Sequence, residues 1–243
     1  AQSIAALAFG TGSIPQVNKI FGPGNSWVTK AKQMIATLGL PVSIDMPAGP
    51  TEVMIISDGN TDPEFIAYDL LSQAEHGIDS QVILLSQDQS FLERVDTEIG
   101  QAIESIKTKD IAKASMKNSK LILVDNLDDA VAISNEYAPE HLIINCKDAE
   151  QYLPMISSAG SIFLGEWSPE SAGDYCSGTN HVLPTAGFAT SYSGLSVDSF
   201  CKSISVQSLS KKGLHLIGDD IINLAQAEGL DAHAKAVEVR IKK

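Results

Sequence analysis

The stretch EVMIISDGNTDPEFIAYDLLSQAEHGIDSQVILLS, residues 52–86, decides the fold. It opens on a β-branched apolar run, closes on another, and carries a helix signal between them. Asp62 stands where an N-cap belongs, and Pro63 fills the first helical position, where a missing N–H does no harm. Two buried strands joined by a helix form a βαβ unit, and that connection leaves the strands parallel. Outward from this unit the rhythm repeats. KLILVD (120–125), HLIINC (141–146) and SIFLGE (161–166) are further short apolar runs, with helical patterns at 90–106, 127–138 and 149–160. Upstream, VNKIF (17–21) leads through the turn GPGN (22–25) into a helical stretch at 26–40, and PVSID (41–45) reads as one more strand. Nearly continuous apolar strands alternating with amphipathic helices predict an α/β fold with mainly parallel sheets, buried on both faces.

Two interruptions divide the chain. SIDMPAGPTE (43–52) breaks the rhythm and reads as a crossing between lobes. Residues 165–196 form a long segment rich in Gly, Ser and Pro, and loops of that length in compact domains are usually functional or disordered. From 209 onward the chain reads as two helices, 209–229 and 230–243. The expected architecture is therefore two incomplete Rossmann-like lobes with mainly parallel sheets, plus a C-terminal helical arm.

The chain has 243 residues, 44% of them hydrophobic, enough for a substantial core. No apolar run reaches the roughly 18 residues of a membrane-spanning helix, so a membrane is not an expected partner. Thirty acidic against 17 basic residues give a net charge of −13, which argues against nucleic acid as a partner. Cys146, Cys176 and Cys201 are widely spaced and form no CxxC, as expected of reduced, cytoplasmic thiols. The start lacks the basic region of a signal peptide. It begins on Ala1 inside a helical pattern, which suggests a piece of a longer polypeptide.

Polar residues interrupt this apolar pattern in a few places. The helix ending in SQAEHG carries Gln73 and His76 three residues apart, on one face. They could ligate a metal, although a His near a helix C-terminus also serves as a dipole partner. A second Glu-His pair, Glu140-His141, follows Pro139 at the entry to HLIINC. Strand entry is the end of a parallel sheet usually remote from ligands, which speaks for surface residues there. GDYCSGTNHVLPT gathers Asp174, Asn180 and His181 among glycines, as binding loops do and as plain surface loops also do. AEGLDAHAKA sets Glu228 and His233 on either side of a turn in the tail, where exposure is the default. His215 has no polar company and reads as a packing residue. Neither Glu-His pair has the second His of HExxH, and GxSxG and GxGxxG are absent. FGPGN still opens a helix on glycines, where N-terminal amides can hold an anion.

Taken together, the segments KIFGPGN, DMPAGPTE, DLLSQAEHG, YAPEHL, GSIFLG followed by PE (169–170) and GDYCSGTNHVLPT, SGLSV and AEGLDAHAKAV resemble the histidinol dehydrogenase family in order and spacing along the whole chain. The resemblance is to the C-terminal part of the family's longer chains. It implies NAD-dependent oxidation of L-histidinol to L-histidine through the aldehyde, with one zinc per site. It implies Gln73, His76, Asp174 and His233 as metal ligands, with His233 and Glu228 reaching into the partner's site of a homodimer. It implies acid–base chemistry at Glu140 and His141, and substrate contacts at Thr51, Gln73, His76, His141, Asp174, His181, Glu228 and His233. Cofactor contacts fall on Gln2 and Asn25. Residues 1–50 would then be the remaining half of the cofactor-side lobe, 51–195 the main lobe with metal and catalytic residues, and 196–243 an arm for dimerisation. Thr51 stands where relatives commonly carry Ser; the hydroxyl is kept. A chain lacking the family's N-terminal part is expected to be inactive alone. A zinc-dependent hydrolase using Glu140, or a non-catalytic zinc-binding or assembly module, are the alternative readings.

Overall fold

The structure, a computed structural model, describes residues 1–22, 24–46 and 49–242, so the turn at 22–25 and the crossing at 43–52 each include residues outside the described set. The chain divides into two units, Ala1–Phe200 and Cys201–Lys243. The first opens with α1 (Gln2–Phe9), β1 (Lys19–Ile20), α2 (Ser26–Thr37) and β2 (Ser43–Ile44). β1 and β2 pair in parallel, Lys19 opposite Ser43. The apolar runs 17–21 and 41–45 thus shrink to two-residue strands, because a strand extends only as far as it is paired. Ile4, Ala8, Ile20, Ile35 and Val42 form a small core there. Asn25 caps α2, its Oδ1 accepting the Val28 N–H at 3.2 Å. A buried ion pair between Lys32 and Asp45 ties the glycine turn to this lobe. Lys32 Nζ also donates to Gly22 O at 2.9 Å, and Asp45 Oδ2 accepts from Gly22 N at 2.9 Å.

The main sheet follows: β3 (Glu52–Ser57), α3 (Pro63–Ala74), β4 (Gln81–Ser86), α4 (Gln89–Ser105), α5 (Lys109–Ser115), β5 (Lys120–Leu123), α6 (Leu127–Tyr137), β6 (His141–Asn145), β7 (Ser161–Leu164) and the short α7 (Glu170–Tyr175). Among the described residues the order is β5-β4-β3-β6-β7, with every pairing parallel. The strand order reverses at β3 and β6, so these two neighbours form the switch point. Asp62 does cap α3, Oδ1 accepting Glu64 N–H at 3.0 Å. α3 ends at Ala74, so His76 falls just beyond it rather than on the same helical face as Gln73; its N–H still reaches Gln73 O at 3.3 Å. The helix expected at 149–160 is instead a 3-10 turn over Ala149–Met155, where Pro154 removes a donor and crowds the preceding turn.

Alternation along the strands sorts side chains between the two faces of the sheet. Val53 and Ile55 of β3 and Ile143 of β6 pack with Ile66, Leu70 and Leu71 of α3 and with Phe91 and Val95 of α4. Met54, Ile56, Leu142 and Ile144 pack on the other face with Ala130 and Val131 of α6. Each such side chain, fully removed from water, contributes about 1.5–3 kcal/mol. The same parity carries the polar residues at the strand entries. Thr51 and His141 continue the α3 face, whereas Glu52 continues the α6 face.

The second unit contains α8 (Lys211–Ala227) and α9 (Asp231–Ile241), joined by a turn in which Gly229 adopts φ 73°. Ser210 caps α8 through Gly213 N–H at 3.0 Å. A Cβ on Gly218 would lie 3.2 Å from Ile241 Cγ2, so the glycine lets the two helices approach closely. His215, expected to pack, is exposed on α8, because burial along that helix is confined to Gly218 and Ala225. Among the described residues no helix is long and apolar enough to cross a membrane.

Candidate active site

The polar residues collect at the N-terminal edge of the sheet, at the β3–β6 switch point. Parallel sheets ordinarily bind ligands at the opposite, carboxyl edge. Thr51 and Glu140 immediately precede β3 and β6, and Glu52 and His141 are the first residues of those strands. The approach to β6 is locally forced. Ala138 ends α6 in the left-handed region, φ 54°, with its N–H on Ser134 O at 2.8 Å. Pro139 then bars the helix from continuing. A Cβ on Gly160 would sit 2.5 Å from Glu140 O, so only glycine lets the chain entering β7 lie against Glu140. Ser161 N–H donates to that same oxygen at 2.9 Å.

From these positions a single network forms. Gln73 Nε2 donates to Thr51 Oγ1, and the Thr51 hydroxyl donates to Glu140 Oε2. Glu140 Oε2 also accepts the Glu52 N–H at 3.1 Å. His141 Nδ1 lies 3.2 Å from Glu52 O, a contact that puts the ring proton on Nδ1. That leaves Nε2 as the acceptor nitrogen, and Nε2 is buried without a hydrogen-bond partner. It faces Glu170 Oε1 at 3.8 Å. On the other face, Glu52 accepts from Tyr137 Oη at 3.2 Å and from Ala186 N at 2.9 Å, which anchors the loop that follows His181.

Burial governs the electrostatics. It pushes Glu140 up to about 7, against the opposing hydrogen bonds from Thr51 and Glu52. It holds the His141 ring below its usual value, so the imidazole stays neutral. Glu170 is raised by burial and then by the Asp174 charge beside it. Glu52 is raised by burial as well. The Glu140 shift has a stability consequence. Between its ordinary 4.5 and about 7 the folded chain keeps a proton that the unfolded chain has released. The group's contribution is therefore intact below the lower value and is lost as pH rises through the upper one. In urea titrations of metal-free protein, the parent should lose about 2 kcal/mol more stability between pH 5 and 8 than Glu140→Gln does. Parallel pH profiles for the two proteins would contradict the buried, proton-holding carboxyl.

Not all the residues singled out in the sequence meet here. Thr51, Glu140 and His181 line one cavity of about 180 Å³, together with Gly24 and Lys32 from the small lobe. Thr51 and His76 line an adjoining cleft of about 610 Å³ with Asn25 and Lys30. Asp174 lies with His141 and Glu170, one ligand-type atom of each within 4.8 Å of the others. Gln2 is the exposed first residue of α1 and lines neither cavity. Glu228, at the C-cap of α8, and His233, in the first turn of α9, are exposed and belong to the second unit. Glu170 and Glu52 escaped the sequence reading. No local pattern marked Glu170, which lies in a stretch without helical signal, whereas Glu52 was legible as a carboxylate opening an otherwise apolar strand.

The residues fit a zinc ion. Gln73 is fully buried, and its Oε1 has no hydrogen-bond partner while its Nε2 is committed to Thr51. An orphaned, fully buried carbonyl oxygen at Gln73 and a carboxylate at Asp174 are donor types that a zinc ion would satisfy. For NAD, the cleft is lined by Asn25 and Ser26 at the N-terminus of α2 and by Lys30, where the helix dipole and a cation suit an anionic group.

Comparison with known proteins agrees in one direction. The family model described as histidinol dehydrogenase matches residues 1–241. Histidinol dehydrogenase from Colwellia psychrerythraea is 54% identical over 242 residues, covering all of this chain and 56% of its own length. That from Xylella fastidiosa is 54% identical, covering 99% of this chain and likewise 56% of its own. The crystal structure of histidinol dehydrogenase from Elizabethkingia anophelis superimposes with a TM-score of 0.96 at 51% identity, covering 99% of this chain and 55% of that one. The chain thus spans a little over half the length of the relatives it matches.

Proposed function

The chain belongs to the histidinol dehydrogenase family, and from that premise we propose that the polypeptide carrying it oxidises L-histidinol to L-histidine through L-histidinaldehyde, reducing two NAD in succession. The observation that supports this most is the buried Glu140–His141 pair beside Thr51 and Gln73, with the His141 acceptor nitrogen partnerless. In this reading Gln73, His76 and Asp174 hold the zinc together with the partner subunit's His233. Zinc, if bound by these residues, would supply a Lewis-acidic centre for orienting the substrate. Bound NAD supplies the hydride acceptor, with Asn25 and Gln2 as its contacts.

His141 takes the hydroxyl proton at Nε2 during each oxidation. Its burial keeps the ring neutral and receptive beforehand, and the bond from Nδ1 to Glu52 O sets the tautomer. Glu140, poised near neutrality, takes a proton from the water that adds to the aldehyde before the second oxidation. Thr51 and His181 orient the substrate's polar groups, and Glu228 pairs with its ammonium across the dimer. Residues 1–50 serve the cofactor side, 51–195 the chemistry and 196–243 the dimer contact, in a cytoplasmic enzyme. The activity is proposed for the whole polypeptide, of which this chain matches 56% of the length of the Colwellia relative.

NADH absorbance tests the reading directly. Adding L-histidinol and NAD to the zinc-loaded native polypeptide should yield two NADH for each L-histidine formed. No absorbance change with zinc bound and the fold intact would reject it, and hydrolysis of esters or amides instead would support a zinc hydrolase.

A further inference from the structure

Glu170 has no part in the chemistry above, yet its placement is specific. It is 1% exposed, on the first turn of α7, where Pro169 starts the helix. Its Oε2 accepts the Ser72 hydroxyl at 3.2 Å, and Ser72 neighbours Gln73 on α3. Its Oε1 is buried without a hydrogen-bond partner and lies 3.8 Å from His141 Nε2, itself buried and partnerless. At 3.8 Å the two atoms are just beyond hydrogen-bond distance, so a small closure joins them once Nε2 carries a proton. The other ring nitrogen is already committed to Glu52 O. The unpartnered pair is therefore aimed at whatever reacts at Nε2.

When the carbinol C–H leaves as hydride to NAD, its O–H proton passes to Nε2. The products are aldehyde, NADH and a positively charged imidazolium on a buried ring. A buried charge without an acceptor is costly. We infer that Glu170 is a positioning residue for His141, fixing the ring from the Nε2 side and giving the protonated nitrogen an acceptor oxygen. This rests on the histidinol dehydrogenase reading and adds a residue to it. Asp174 is the nearby metal ligand in that reading; Glu170 acts through the imidazole.

The test uses the zinc-loaded native polypeptide with Glu170→Gln and Glu170→Asp. Glu170→Gln should lower kcat for L-histidinol about 100-fold, within the range lost when a group orienting a catalytic imidazole is removed. KM and zinc content should stay at parental values, and Glu170→Asp should recover at least about tenfold of the loss. Zinc loss in Glu170→Gln would make the residue a metal ligand and overturn the inference. So would an unchanged kcat, a rise in KM alone, or an Asp variant no better than Gln. A parent that makes no NADH would sink the reading of function instead. The inference is then decided by ¹⁵N NMR of the His141 ring: resonances unmoved by Glu170→Gln refute it, and a displaced Nε2 resonance supports it.

Discussion

In the zinc-loaded native polypeptide, replacing His141 by Asn should lower kcat for the proposed L-histidinol oxidation by about 10³-fold while bound zinc stays at its parental level. The physical grounds are the ring's two ends. Asn is close in size, and its amide can still donate to Glu52 O, so the start of β6 keeps its packing. What disappears is the basic nitrogen. Nε2 is the acceptor left by the Nδ1 contact, it is buried, and burial keeps it unprotonated at neutral pH. An amide cannot take a proton from an alcohol, and hydride departs only as that proton goes. Steady-state NADH formation together with atomic absorption for zinc separates the two effects. A variant that turns over at parental rates would remove His141 as the base. One that loses zinc along with activity would show that the ring ligates the metal, as its grouping with Glu170 and Asp174 would allow.

Replacing Asp174 by Asn should weaken zinc binding at least 100-fold, with turnover following zinc occupancy. The proposed ligand set is one carboxylate with one amide oxygen and two neutral imidazoles. Asp174 is thus the one group in it that offsets the metal's charge, leaving the bound site near +1. Asn keeps the volume and the half-buried position in α7 but takes that charge away. Competition with a chelator of known affinity gives the shift, and millimolar zinc should restore part of the rate. Unchanged affinity would move the metal away from Asp174, onto other donors such as Glu170.

Much of the fold is legible in residues 52–86. The apolar runs predicted as strands at 52–57 and 81–86 are strands over those residues, and Asp62 and Pro63 start the helix between them. Local rules suffice there, because capping and hydrophobic run length act within a few residues. The α/β class with parallel sheets and a helical C-terminal region follows from the same signals. The failures are equally local in cause. A proline at 154 turns a predicted helix into a 3-10 turn, and pairing over only two residues shortens the runs at 17–21 and 41–45. α7 was hidden in a stretch of Gly, Ser and Pro, and Glu170 with it.

The sequence by itself determined the strand–helix alternation, the helix caps, and the residue types from which a site could be drawn. It could not say that Glu140 and His141, at the unpromising entry of a strand, would stand beside Thr51 from another strand and Gln73 from a helix end. Tertiary structure alone decided that, through the β3–β6 pairing that sets Val53 opposite His141. Side-chain alternation then turns Thr51 and His141 to the α3 face and Glu52 to the α6 face. The reason is one of range: caps and periodicity are written in neighbouring residues, whereas strand partners are chosen by burying distant apolar surfaces against each other. The shifted acidities of Glu140 and His141 arise from that same burial, and no local pattern encodes it.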